Sequence, residues 1–171
     1  MGEFSKYLIS YRGTKHGFRY DFFDGKSELI GHLAMEDDHG DAVIKFKDTI
    51  ALHCKSSFGM FISEGSTHRI LDDNNLEVFR IICGKPKYCT ITNRFSETDS
   101  DEKYFDITAL YTLDGFDFFT SSGQVGRIYK RDASGTEFQD KYESIYEVYV
   151  DEHLGEIGTL SILTYPALNI C

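Results

Sequence analysis

The sequence predicts a mostly β protein, an antiparallel β-barrel or sandwich built from repeated hairpins, with at most one or two short helices. Three features carry that expectation. Tyr20-Asp21-Phe22-Phe23 followed by Ile30-Gly31-His32-Leu33 recurs as Phe116-Asp117-Phe118-Phe119 with Val125-Gly126-Arg127-Ile128. It recurs again as Tyr146-Glu147-Val148-Tyr149 with Ile157-Gly158-Thr159-Leu160. Each copy reads as strand, turn and return strand, so three hairpins of one design are predicted. Aromatic content is 15%, all Phe and Tyr without Trp, and these residues favour a pleated, half-buried surface. Turn signals punctuate the chain at Asp24-Gly25, His39-Gly40, Asp73-Asn74-Asn75, Gly84-Lys85-Pro86 and Ser134-Gly135.

Taken in order, Tyr7-Leu8-Ile9-Ser10-Tyr11 opens as a strand, and the first repeat supplies the next two. Ala42-Val43-Ile44-Lys45-Phe46 and Phe58-Gly59-Met60-Phe61-Ile62 follow as short strands. Arg69-Ile70-Leu71 with Glu77-Val78-Phe79-Arg80-Ile81 makes a fourth, weaker hairpin that lacks the repeat's glycine. Tyr88-Cys89-Thr90-Ile91-Thr92 is a further strand, and Ser96 to Glu102, with no apolar residue, is an exposed loop. Ser134 to Tyr149 begins with helical spacing at Glu137, Lys141 and Ser144, but Ile145 to Val150 alternates like a strand. Leu160 to Tyr165 is the most apolar stretch; it starts like a strand, and Pro166 should stop it.

Residues two apart on a strand share a face. One face of the repeat therefore holds Tyr20 and Phe22, Phe116 and Phe118, or Tyr146 and Val148, and the other holds the acid followed by Phe23, Phe119 or Tyr149. Two readings of the second face stand. Its aromatics cover Gly31, Gly126 and Gly158 across the hairpin, or they form a binding surface.

A length of 171 residues with 41% hydrophobic content suits one β-rich domain over residues 1–171. Gly2-Glu3-Phe4 matches what a cloning scar looks like, so residues 1–5 are expected to be disordered or foreign to the native chain. The formal charge of −10 repels phosphate backbones, so direct nucleic-acid binding is not expected. Cys54, Cys83, Cys89 and Cys171 form no C-x-x-C pair and follow no secretory leader. Reduced thiols in a cytoplasmic protein are expected. No apolar run approaches the ~20 residues that span a bilayer as a helix.

The hairpin phrase, the length and the internal duplication together resemble the tubby C-terminal-like superfamily, which includes the LURP-one-related and scramblase proteins. The resemblance covers Tyr7 to Ile170. It implies about twelve antiparallel strands closed around one apolar C-terminal helix, and closure would remove the exposed edges that so many strands create. It also implies a lipid-headgroup site built from clustered Lys and Arg, whereas the basic residues here are scattered among acids.

No cofactor is expected. The candidate binding residues are the second-face aromatics Phe23, Phe119 and Tyr149 with the acids Asp21, Asp117 and Glu147. A candidate divalent-metal loop gathers Glu36, Asp37, Asp38 and Asp41 around His39, although the EF-hand spacing is absent. His53 and Cys54 are strand neighbours on opposite faces, so the histidine is poorly placed to activate the thiol. The expected function is non-catalytic recognition of another macromolecule, a protein and a basic one, through an acidic, aromatic-bearing β surface. The alternatives are a lipid or small apolar ligand held by a tubby-like barrel, and a metal-dependent enzyme using the Glu36 to Asp41 loop.

Overall fold

The computed structural model describes residues 3–35, 42–58, 66–83, 88–94, 104–131 and 144–168. Its strands are β1 Phe4–Thr14, β2 Gly17–Phe23, β3 Leu29–Met35, β4 Ala42–Phe46, β5 Ile50–Phe58, β6 Ser66–Leu71, β7 Glu77–Cys83, β8 Tyr88–Arg94, β9 Tyr104–Tyr111, β10 Gly115–Thr120, β11 Gly123–Arg131 and β12 Ser144–Asp151. Each pairs antiparallel with its neighbours in sequence, and β1 pairs with β12 to close the barrel. That last ladder runs from Phe4 opposite Asp151 to Tyr11 opposite Ser144. Phe4 and Ser5 are thus part of the barrel's seam. β9 was not expected, and β5 ends at Phe58, where the sequence pattern had a strand beginning; residues 59–65 are outside the described residues, as are Ser96 to Glu102 and Ser134 to Gln139.

The helix α1, Gly155–Leu168, follows β12 through a 3-10 turn at Glu152–Leu154. Asp151 caps that turn by accepting from the backbone N–H of His153 at 2.9 Å. Leu160, Ile162, Leu163 and Tyr165 are wholly buried, and so are Ser161 and Thr164. Burial on every side marks a helix enclosed by protein rather than one lying on a surface. α1 packs against β7, β8 and β12, and the Tyr165 ring meets Phe118 edge-on at 5.2 Å and Phe116 at 4.9 Å. The two buried hydroxyls bond back along the helix, Ser161 Oγ to the Gly158 carbonyl at 2.6 Å and Thr164 Oγ1 to that of Ser161 at 3.2 Å. No helix among the described residues is long and apolar enough to cross a membrane.

Two of the three predicted hairpins form, β2 with β3 and β10 with β11. The third does not. Tyr146 to Tyr149 are in β12, but Ile157 to Leu160 are in α1 and make no return strand. The weaker candidate, β6 with β7, is a true sibling instead. In each hairpin the register slips after an inward-facing residue, Phe22, Ile70 or Phe118, and those residues fall at equal intervals along the chain and are all fully buried. The extra residue is on the return strand, at Ile30, Val78 and Val125. A β-bulge at that point bends the strand and sharpens the twist a barrel needs. The first two siblings share one turn: the Asp24 and Asp72 carboxylates each accept from two backbone N–H groups, and Ser27 and Asn75 take left-handed φ of 63° and 60°.

The bulge also corrects the expected aromatic cover. Phe22 stands opposite Gly31 and Phe118 opposite Gly126, whereas Phe23 pairs with Leu29 and Phe119 with Gln124. The inward aromatic, not the outward one, is laid against each glycine. Gly126 leaves room for α1, since a Cβ there would meet Ile162 Cδ1 at 3.0 Å. At Gly31 a Cβ would be driven into the Lys45 carbonyl oxygen and to 3.1 Å from Phe46 Cα, both backbone atoms of β4.

Gly31→Ala should therefore destabilise by about 1–3 kcal/mol, as overpacking against an unyielding wall does. Gly25→Ala, whose Cβ would have only ordinary contact with the Lys6 carbonyl at 3.4 Å, should change the urea midpoint little. Equal midpoints for the two variants would contradict the register. A second expectation concerns His68, which is buried and whose pKa burial lowers from 6.5. The unfolded chain then takes up a proton that the folded one resists, so stability is full above about pH 6.5 and declines as pH falls below it. Urea midpoints followed from about pH 7.5 to 5.5 should show this slope, and His68→Gln should flatten it.

Candidate functional site

Where β10, β11, β12 and β1 lie side by side, their outward residues form rows across the barrel wall. One row reads Lys6, Tyr149, Arg127, Asp117 and the next Leu8, Glu147, Tyr129. Between and beside these rows runs a groove of about 590 Å³ whose walls include Phe4, Gln124, Arg127, Tyr129, Tyr149 and Asp151. The Tyr129 and Tyr149 rings stand nearly perpendicular, 77° apart with centroids at 6.4 Å. Phe4 is substantially exposed at the seam. All these side chains are carried by hydrogen-bonded strands, so the groove is pre-formed.

The acids of the repeat are the groove's support. Asp117 receives a two-pronged grip from Arg127, Nε to Oδ1 at 2.6 Å and Nη2 to Oδ2 at 3.2 Å. Arg127 Nη1 also donates to the Tyr129 hydroxyl at 2.7 Å, and its guanidinium lies 5.4 Å from that ring's centre. The hydrogen bonds to Asp117 and then to Tyr129 hold the Arg127 pKa above its ordinary value. Glu147 is buried beneath three donors: the Tyr149 hydroxyl, Arg131 Nε, and Lys6 Nζ at 3.2 Å. Burial by itself would raise its carboxyl, but hydrogen bonds from Tyr149 and Lys6, with the charges of Lys6 and Arg131, bring it below 4.5. The bond to Glu147, followed by burial, raises the Tyr149 phenol. Asp21 is buried on β2 and accepts from Arg19 Nε at 2.7 Å.

Tyr149 thus lines the groove, and Asp117 and Glu147 lie beside it holding Arg127 and Tyr149 in place. Asp21 and Phe23 do not join them. Both are buried on the far side of β1. Phe119, half-buried on β10, pairs with Gln124 but is not among the groove's walls. The expected row of Phe23, Phe119 and Tyr149 is broken because they stand on β2, β10 and β12, with β1 and β11 between them. Glu36, Asp37, Asp38 and Asp41 lie outside the described residues, and no metal-ligating group of three occurs among the described ones.

Sequence reasoning missed Phe4, Gln124, Arg127, Tyr129 and Asp151. A signal for two of them was present: if the inward aromatic faces the glycine, the acid before it faces the residue after the glycine. Asp117 therefore opposes Arg127, as Asp21 opposes His32, and Tyr129 follows on the same face.

No family model and no curated protein matches this chain. A solved structure of a protein from Arabidopsis thaliana, AT5G01750, superimposes with a TM-score of 0.35 at 9% identity, covering 97% of this chain and 93% of that one. A likeness of that degree assigns no function.

Because Glu147 is held ionised below 4.5, its contribution to stability is present above that pH and is lost as the pH falls through its lower folded value. Glu147→Gln should cost about 1.5–3 kcal/mol at neutral pH, the usual worth of hydrogen bonds to a charged group. It should also remove part of the acid-side slope below about pH 4.5. An unaltered slope would contradict the assigned role.

Proposed function

We propose that this protein is a non-catalytic binding protein that recognises another protein through the aromatic groove on β1, β11 and β12. The observation that supports this most directly is the groove itself: Phe4, Tyr129 and Tyr149 present apolar surface, with Tyr149 anchored to Glu147 and Tyr129 to Arg127. Large aromatic side chains fixed in place before contact bring binding energy with little ordering cost. A polar rim of Gln124 and Asp151 supplies hydrogen-bonding partners for a polypeptide. The formal charge of −10 favours encounter with a basic partner. At short range the repeat acids act differently from an open acidic surface, because Asp21, Asp117 and Glu147 are engaged by cations of the same barrel.

The carrier reading places an apolar ligand in the lumen, which α1 occupies, so the outer groove is the better-supported site. The test is capture of partners from native extract by the intact protein, repeated with Phe4→Ala, with Tyr129→Ala and, as a control on another part of the barrel, with exposed Leu76→Ala. A partner should be retained by wild type and by the Leu76 variant, and its binding should fall at least ~10-fold with either groove variant, equivalent to about 1.4 kcal/mol. Equal retention by all four proteins, or no partner at any salt concentration, would overturn the reading.

A further inference from the structure

β7 and β8 pair so that Cys83 is the register partner of Cys89, one step of the same face beyond Ile81 opposite Ile91. Two of the chain's four cysteines are thus placed directly across one antiparallel ladder. Cys54 differs: its register partners are Ala42 and Ile70, and it is buried in the hydrophobic core. Opposed residues in an antiparallel ladder have Cα atoms about 4.5–5.5 Å apart. A disulfide spans Cα separations of about 4.4–6.8 Å. The backbone already holds this pair within reach, with no strand shift required.

We infer that Cys83 and Cys89 form a reversible dithiol–disulfide site that bridges β7 to β8. The chemistry needs an oxidant of the small-molecule disulfide class, such as oxidised glutathione. The thiolate of one cysteine attacks a glutathione sulfur, forming a mixed disulfide and releasing one glutathione as its thiolate. The second cysteine, as thiolate, attacks the protein sulfur of that mixed disulfide, forming the Cys83–Cys89 bond and releasing the second glutathione. Two protein thiols are oxidised by two electrons, one glutathione disulfide is reduced to two thiols, and the two protons lost by the cysteines are taken up by the departing thiolates. In a reducing compartment such a bond is transient, the usual behaviour of redox-sensing pairs. Its location gives it a structural consequence: β7 and β8 are two of the strands against which α1 packs, so the bridge would fasten the wall that backs the central helix.

The experiment uses the full chain, freshly reduced and then equilibrated as native protein with a series of glutathione disulfide-to-thiol ratios. After acid quenching, remaining thiols are alkylated under denaturing conditions and the protein is weighed intact and after trypsin. The expected result is joint loss of two alkylation sites from the monomer. A disulfide-linked pair of tryptic peptides, Ile81–Lys87 with Tyr88–Arg94, should appear, since trypsin does not cut the Lys85–Pro86 bond. Cys83→Ser and Cys89→Ser should each abolish that species, and Cys54→Ser should leave it unchanged. Full alkylation of both residues at the most oxidising ratio, stable glutathione adducts without the linked peptide, or linkage only between chains would each overturn the inference.

Discussion

The barrel depends on its lumen being filled. Twelve strands enclose more space than their own inward side chains occupy, and an unfilled apolar interior loses packing contacts all along its lining. α1 provides the missing volume, with Leu160, Ile162, Leu163 and Tyr165 wholly enclosed. The small and large residues of the wall are matched to it. Gly126 admits Ile162, while Phe116 and Phe118 close on Tyr165. Each bulged hairpin turns the sheet at a fixed place, so that Phe22, Ile70 and Phe118 all reach the interior.

The outer wall follows a different rule. Its inward face is committed to α1, so what varies outside is the pairing of charges along the rows. Buried carboxylates at Asp21, Glu77 and Glu147 sit under more exposed cations. Pairs of this kind repay the cost of desolvation only with good geometry and several hydrogen bonds, as at Glu147 with its three donors and Asp117 with its two-pronged arginine. The aromatic groove is a by-product of that order. Tyr129 and Tyr149 reach across the same charged network and are fixed by it.

The strands were largely legible because period-two alternation and short turns mark half-buried hairpins so strongly. The failure at Ile157-Gly158-Thr159-Leu160 is instructive. Four residues of aliphatic, glycine, any residue, aliphatic fit a strand and a fully enclosed helix equally, and periodicity cannot separate them when every side is apolar. Pro166 pointed the same wrong way, yet it is inside α1, near its end. What decides the matter is the space the other strands leave, a property of the closed ring that no local window contains. The site was half legible for a related reason. Asp117, Glu147 and Tyr149 stood out because they repeat, whereas Phe4 and Asp151 meet only at the seam between the first and last strands.

That seam and the central helix together impose an order on the protein's birth. The side chains that hold the wall apart from within are encoded after all twelve strands, so while the polypeptide is being made its β segments emerge with apolar faces and nothing to lay them on. Hairpins can form one by one as they appear, but the ring cannot shut until its interior plug has been synthesised. Such a nascent chain stays open until α1 emerges, and over that interval its strand edges and apolar faces lie uncovered.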